Sequence, residues 1–258
     1  MSEPPKRRML RPPTGGAEGG RAMTERLKSG KDRSASSRAW LERQIADPFA
    51  AEARAKGYRS RAAFKLEEID RRFRLLRRGA RVIDLGCAPG GWLQVARQRE
   101  VGAVVGVDLL NTDPMDGVTL FQNDFTEDGV GARLITALGG APDIVLSDMA
   151  PNTIGHRRTD HLRIIALIEA ATEFAVQSLT PGGTLLTKAF QGGEMAEVVK
   201  RMKLAFTQVR YLKPLASRAE SSELYLLATG LKKSDGKEGR DDTNRASYRG
   251  GKALGSSR

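Results

Sequence analysis

The stretch Arg81–Trp92, RVIDLGCAPGGW, decides how this chain is read. Val82, Ile83 and Leu85 form an apolar run of strand length that carries one carboxylate, Asp84. The run breaks into Gly86, Ala88, Pro89, Gly90 and Gly91, then resumes at helical spacing with Trp92, Val95 and Ala96. Strand, tight loop, helix is the reading. In a doubly wound sheet such a loop lies at the carboxyl end of a strand, where ligands bind. Glycine suits it because a Cβ would obstruct a ligand approaching the backbone.

On the N-terminal side, Ser37 is placed to cap a short helix carrying Trp40, Leu41 and Ile45, and Asp47-Pro48 to open a second. A third follows Ser60, its predicted cap, with Phe64, Leu66, Ile69 and Phe73 as apolar positions. Arg59, Arg61 and Lys65 crowd its first turns, where the helix dipole disfavours cations. Something other than helix stability is expected to have placed them there.

On the C-terminal side, strands are predicted at Val104–Val107, ending in Asp108, and at Phe121, ending Asn123-Asp124. Further strands are Asp143–Asp148, Thr184–Phe190 with Lys188 inside it, Val209–Leu212 and Glu223–Thr229. Helices are expected around Leu134–Leu138, from Asp160 to Leu179 (Leu162, Ile165, Ile168, Ala171 and Ala175 on one face) and from Glu194 to Phe206. Alternating strands and helices imply an α/β fold, a mainly parallel sheet with helices on both faces. The last two strands have no room for a helix between them and should pair antiparallel.

The whole chain has 258 residues, with 43 Lys+Arg against 31 Asp+Glu, a net charge of +12 and a pI near 10.1. A charge of that size speaks of polyanionic partners, nucleic acid first and an anionic membrane surface second. Residues 1–35 hold nine basic side chains against four acidic, and residues 232–258 eight against four. Both segments are rich in Gly and Ser and poor in aliphatic periodicity, so both are expected to be disordered basic tails around a domain of residues 36–230. No apolar run approaches the roughly 20 residues that span a bilayer, and no apolar h-region follows the basic N-terminus. The single cysteine, Cys87, excludes an intrachain disulfide and a cysteine-cluster metal site. A soluble, cytoplasmic protein is the expectation.

Two ligands compete for the glycine loop. A dinucleotide wants G-x-G-x-x-G, but the spacing here gives Gly86, Ala88 and Gly91, and Pro89 removes a backbone donor. Asp84, Asp108, Asp124 and Asp148 fall at or near the carboxyl ends of the first four strands, a ring that would repel a polyphosphate. Carboxylates suit a ligand whose donors are an amino group, ribose hydroxyls and an adenine amine. S-adenosylmethionine has that inventory together with a sulfonium cation.

The stretches YRSRAAFKL, DLGCAPGGW, VDLL, NDF, SDMAPN, TKAFQGGE and SELYLLATG, running in order from about Ser36 to Gly230, resemble the FtsJ/RrmJ family of RNA ribose 2'-O-methyltransferases. Within it they are most similar to the bacterial large-subunit rRNA members. The resemblance implies a Rossmann-like methyltransferase fold whose seven-stranded sheet has an antiparallel last strand. It implies methylation of a uridine ribose in 23S rRNA of the large subunit by a monomer, without a metal.

The family's Lys-Asp-Lys-Glu tetrad falls on Lys65, Asp148, Lys188 and Glu223, with Lys188 as proton acceptor. Its S-adenosylmethionine contacts fall on Gly90, Trp92, Asp108, Asp124 and Asp148. Lys188 stands out without the family, because a lysine in an apolar strand needs partners. Arg59 and Arg61 are expected to grip RNA phosphates, Cys87 to pack, and His156 and His161 to be surface residues. The rival readings are the same chemistry on tRNA or another RNA, a non-catalytic ribosome-assembly factor on this fold, and an NAD-dependent dehydrogenase.

Overall fold

The structure, a computed structural model, describes residues 47–151, 157–190, 195–218 and 221–233. The expected N-terminal tail, residues 234–258 of the expected C-terminal tail, the Ser37 helix and His156 lie outside the described residues. The elements are helices α1 (Pro48–Ala55) and α2 (Ala62–Phe73), strand β1 (Val82–Leu85), α3 (Gly91–Gln98), β2 (Val104–Asp108) and β3 (Val118–Gln122). Then follow α4 (Val130–Leu138), β4 (Ile144–Ser147), α5 (Arg157–Ser178), β5 (Thr184–Phe190), α6 (Met195–Ala205), β6 (Phe206–Leu212) and β7 (Glu223–Leu231).

The seven strands form one sheet in the order β3-β2-β1-β4-β5-β7-β6. Neighbours from β3 to β5 are parallel, while β7 runs antiparallel to both β5 and β6. The predicted antiparallel last strand is present, inserted between β5 and β6 rather than at an edge. Strand order reverses between β1 and β4, which makes their carboxyl ends the switch point at which such sheets hold ligands.

Each strand residue faces one side or the other, and the sheet therefore separates two cores. Val82, Val104, Leu146, Leu186, Tyr225 and Leu227 pack with Leu66, Ile69, Trp92 and Leu93 of α2 and α3. Ile83, Val105, Val145, Leu185 and Leu226 pack on the opposite side with residues of α4, α5 and α6. Within α5, Ile165, Ile168, Ala171 and Ala175 are buried as expected, whereas Leu162 is exposed, one turn before the first helix residue that meets the sheet.

Asp47 caps α1 by accepting hydrogen bonds from the Phe49 and Ala50 N–H groups. Ser60 does not cap α2. Its carbonyl, not its hydroxyl, takes the Ala63 N–H at 3.3 Å, and α2 starts after Arg61 with no side-chain cap. The third strand lies earlier than its predicted position because β3 is a half-exposed edge strand without a buried face to mark it. Among the described residues no helix is long and apolar enough to cross a membrane.

Candidate functional site

The β1–α3 loop is held by three neighbours. Gly86 has φ +77°, and a Cβ there would come within 2.9 Å of the Met149 backbone, so only glycine lets the β1 and β4 exits lie this close. The Ala88 N–H donates to Asp108 Oδ2 at 2.9 Å, joining the loop to the end of β2. Arg59 supplies the third tie. Its guanidinium donates to the carbonyls of Asp113 (2.7 Å), Pro114 (2.8 Å) and Pro89 (3.4 Å), stapling the loop after β2 to the loop after β1.

These contacts frame a cavity of about 690 Å³ over the strand ends. Its walls include Gly86, Ala88, Asp108, Asp124, Asp148 and Arg163. Three of the five residues expected to hold the cofactor, Asp108, Asp124 and Asp148, therefore line one space. Gly90 and Trp92 do not. Trp92 is buried, donates its indole N–H to the Ala62 carbonyl at 2.8 Å and packs its ring 5.7 Å from that of Tyr225. It supports the loop from beneath. Asp108 also accepts the Leu110 N–H at 2.8 Å, and Asp124 accepts both the Thr126 hydroxyl (2.6 Å) and N–H (2.8 Å). The Thr126 bonds hold the Asp124 carboxyl below its ordinary pKa. A carboxylate has about four acceptor positions, so both keep capacity for a ligand.

Asp84 lies deeper. It is 1 % exposed, and neither of its oxygens has a hydrogen-bond partner among the described residues. Burial, with Asp148 and Asp108 nearby, raises its pKa well above the carboxylate range. An acid raised on folding destabilises the fold increasingly as pH climbs above the unfolded value of about 3.9, until the folded pKa is passed. Asp84→Asn is therefore expected to raise the Tm of the ligand-free protein by about 2–4 °C near neutral pH. In thermal unfolding from pH 4.5 to 8, the gap to wild type should widen with pH; a gap that narrows would refute the assignment. Cys87 beside it is also buried, which pushes its thiol up to about 12. Such a thiol is a packing residue and not a nucleophile.

The predicted tetrad converges on the face shared by α2 and α3. Strand alternation carries Leu186 and Lys188 of β5 to that face, and register sets Lys188 opposite Tyr225, two residues beyond Glu223. Helix α2 crosses above and contributes Lys65. Lys65 Nζ lies 2.6 Å from Glu223 Oε1, and Lys188 Nζ lies 2.9 Å from Asp148 Oδ1 and 3.9 Å from Glu223 Oε2. Lys188 also donates to the Asp148 carbonyl at 3.0 Å, and Ser217 donates to Glu223 Oε1 at 2.9 Å. Two cations and two carboxylates thus form one alternating network.

At its centre is Tyr225, which the sequence reading did not single out. Its hydroxyl donates to Asp148 Oδ1 at 2.7 Å and accepts from Lys65 Nζ at 3.3 Å. The signal was present, since a residue two places beyond Glu223 on a strand must share its face. Burial first, then the Asp148 and Glu223 carboxylates, raise the Tyr225 phenol well above its usual pKa, so it stays a proton donor. Burial pushes Asp148 upward too, but Lys188, Lys65 and the Tyr225 hydroxyl outweigh it and leave the carboxyl below its ordinary value. Asp148 alone belongs both to the cavity wall and to this network.

Arg59 and Arg61, predicted to act alike, are separated by the structure. Arg59 is spent on loop carbonyls, whereas Arg61 pairs with Asp47 and donates to the Ala216 carbonyl. Arg59→Ala is expected to weaken binding in the cavity about 3- to 10-fold by freeing the two loops. The salt dependence of RNA binding should stay as in wild type. Calorimetric titration with S-adenosylmethionine and RNA binding at several salt concentrations separate the two effects.

Strand order, switch point and acid-lined cavity define a doubly wound α/β ligand-binding domain. The sequence pattern of the FtsJ-like methyltransferases matches residues 58–231, and the chain belongs to that family. It is 58% identical over 224 residues to the ribosomal RNA large subunit methyltransferase E of Caulobacter vibrioides, covering 87% of this chain and 99% of that one. The protein of the same name from Granulibacter bethesdensis is 53% identical over 221 residues, 86% of this chain and 94% of that one. Among solved structures, a Plasmodium falciparum chain assigned as a ribosomal RNA methyltransferase superposes with a TM-score of 0.60 at 30% identity, covering 67% of this chain and 98% of that one.

Proposed function

We propose that this protein transfers a methyl group from S-adenosylmethionine to the 2'-hydroxyl of a uridine ribose in 23S rRNA of the large ribosomal subunit. One observation carries the reading: Asp148 lines the acid-rimmed cavity and is hydrogen-bonded to Lys188 in a network with Lys65, Glu223 and Tyr225. A site for a cationic, hydroxyl-bearing cofactor and a site for a proton acceptor therefore share one wall. The large-subunit rRNA names of the relatives support the choice of substrate.

The residues suit the cofactor. Three carboxylates on the cavity wall and Asp84 behind them, which has no hydrogen-bond partner among the described residues, match a ligand rich in N–H and O–H donors. Asp108 would take the ribose hydroxyls, Asp124 the adenine amine, and Asp148 the end that carries the reactive methyl. When bound, S-adenosylmethionine supplies a methyl group on a sulfonium whose charge vanishes on transfer.

This chain's own residues do the rest. A ribose hydroxyl is a weak nucleophile; Lys188, a cation in the resting network, first releases a proton to solvent, and its Nζ then accepts the hydroxyl proton as the oxygen–methyl bond forms and the sulfur–methyl bond breaks. Lys65, fixed by Glu223, orients the ribose, and Asp148 holds Lys188 against the cavity wall. Bringing hydroxyl and methyl into line accounts for much of the acceleration.

The test is incubation of the purified protein with labelled S-adenosylmethionine and large subunits from cells lacking the enzyme, followed by digestion and mapping. Label is expected at one 2'-O-methyluridine in 23S rRNA. Label in tRNA alone, on a base, or nowhere would overturn the assignment.

A further inference from the structure

A second concavity of about 180 Å³ opens beside the tetrad, lined by Arg61, Lys65, Arg218, Ser221 and Glu223. Three cations face one carboxylate there, and that carboxylate is already committed to Lys65 and Ser217. Arg61 precedes α2, whereas Arg218 comes from the loop between β6 and β7. Both reach the same oxygen, Asp47 Oδ2, which is buried at the start of α1, with Arg218 Nη2 at 3.3 Å. The loop is pinned to α2 a second time, through the Leu215 N–H on Glu68 Oε2 at 2.7 Å, and by Arg61 on the Ala216 carbonyl.

The guanidiniums are thus held in place from behind before any ligand arrives. A guanidinium carries five N–H donors in a rigid fork that matches the oxygens of a phosphate. Arg218 uses one of them on Asp47, and its side chain remains 32% exposed. The first turn of α2 adds the positive end of a helix dipole, with no acidic side chain in that turn. The clustering of cations at this helix start, unfavourable for the helix itself, then has a reason.

From this arrangement we infer that the concavity binds one RNA phosphodiester, the linkage next to the ribose being methylated. The inference rests on the ribose-methylation reading above. Lys65 and Glu223 belong to both the tetrad and the concavity, so an anion seated there lies within a nucleotide's reach of the reacting hydroxyl. Its role is positioning: the Arg218 fork, backed by the charges of Arg61 and Lys65, sets the register of the strand, and the tetrad acts on the sugar so presented.

The experiment uses the full-length protein and large subunits, and begins with methyl transfer by the wild type. No transfer there overturns the reading beneath the inference, before any variant is compared. With transfer established, Arg218→Gln is expected to raise KM for subunits about 10- to 100-fold, with kcat and S-adenosylmethionine affinity unchanged. The slope of log binding constant against log salt should become shallower by about 0.7–0.9, one phosphate's share. Arg218→Lys, which keeps the charge and loses the fork, should restore the slope but only part of KM.

Unchanged S-adenosylmethionine affinity certifies the fold of each variant. Should Arg218→Gln lose it, Ser221→Asp carries the same test by setting a negative charge in the lining of the concavity. A KM and salt slope equal to wild type in a folded variant would overturn the inference. So would a loss confined to kcat.

Discussion

Lys188→Ala is expected to lower methyl transfer by about 10²–10⁴-fold, the usual contribution of a positioned general base. S-adenosylmethionine affinity should be nearly unchanged, because Lys188 does not line the cavity that the cofactor is proposed to fill. Alanine alone would not separate a base from a cation that merely stabilises charge, and Lys188→Arg does. Arginine keeps the positive charge but stays protonated, so it cannot accept the hydroxyl proton. Loss of activity in both variants is the signature of a base. Near-wild-type transfer by Lys188→Arg would leave Lys188 an electrostatic role only. Single-turnover methylation of large subunits, with cofactor affinity measured by calorimetry on the same preparations, reads both quantities.

The alternation of strands and helices was legible because most strands here are buried on both sides and most helices bury a regular stripe. Where burial is partial the signal faded: β3 is a half-exposed edge strand, and Leu162 sits in a helical pattern that starts before the helix meets the sheet. The insertion of β7 between β5 and β6 could not be read, since pairing order depends on contacts across the sheet and not on local pattern. Lys65, Asp148, Lys188 and Glu223 span most of the domain, and the family motifs brought them together on paper before the sheet register did so in space.

Two features of the site became plain only from the contacts around them. Tyr225 looked like any aromatic residue in a buried strand until its hydroxyl was found between Asp148 and Lys65. Arg59 and Arg61, two residues apart in one basic run, point to different tasks because one reaches loop carbonyls and the other a buried carboxylate. Charge in a sequence shows that cations are present. Only the acceptors around them show which remain available to a substrate.

Asp148→Asn is the second large effect expected, and it should differ in kind from that of Lys188. Asn keeps the shape but removes the charge that balances Lys188 and Lys65 and polarises the Tyr225 hydroxyl. Transfer should fall about 10²–10³-fold, the scale for losing one preorganised electrostatic group. Because Asp148 also lines the cavity, S-adenosylmethionine affinity should fall about 10-fold, as expected for a lost charged hydrogen bond.

Its pH signature follows from the lowered carboxyl. A folded-state pKa below the unfolded value of about 3.9 gives stability that is complete above that value and is lost as pH falls toward the folded one. Wild type should therefore unfold at a higher temperature than Asp148→Asn at neutral pH, and the two should converge on acidification below about pH 4. Asp84→Asn, a neighbour in the same ring, has the opposite sign: its advantage over wild type grows as pH rises. One aspartate is held charged by lysines and stabilises the fold, while the other is buried with no hydrogen-bond partner among the described residues and destabilises it. That opposition suits the proposed cationic cofactor, and finding both variants on the same side of wild type at neutral pH would refute it.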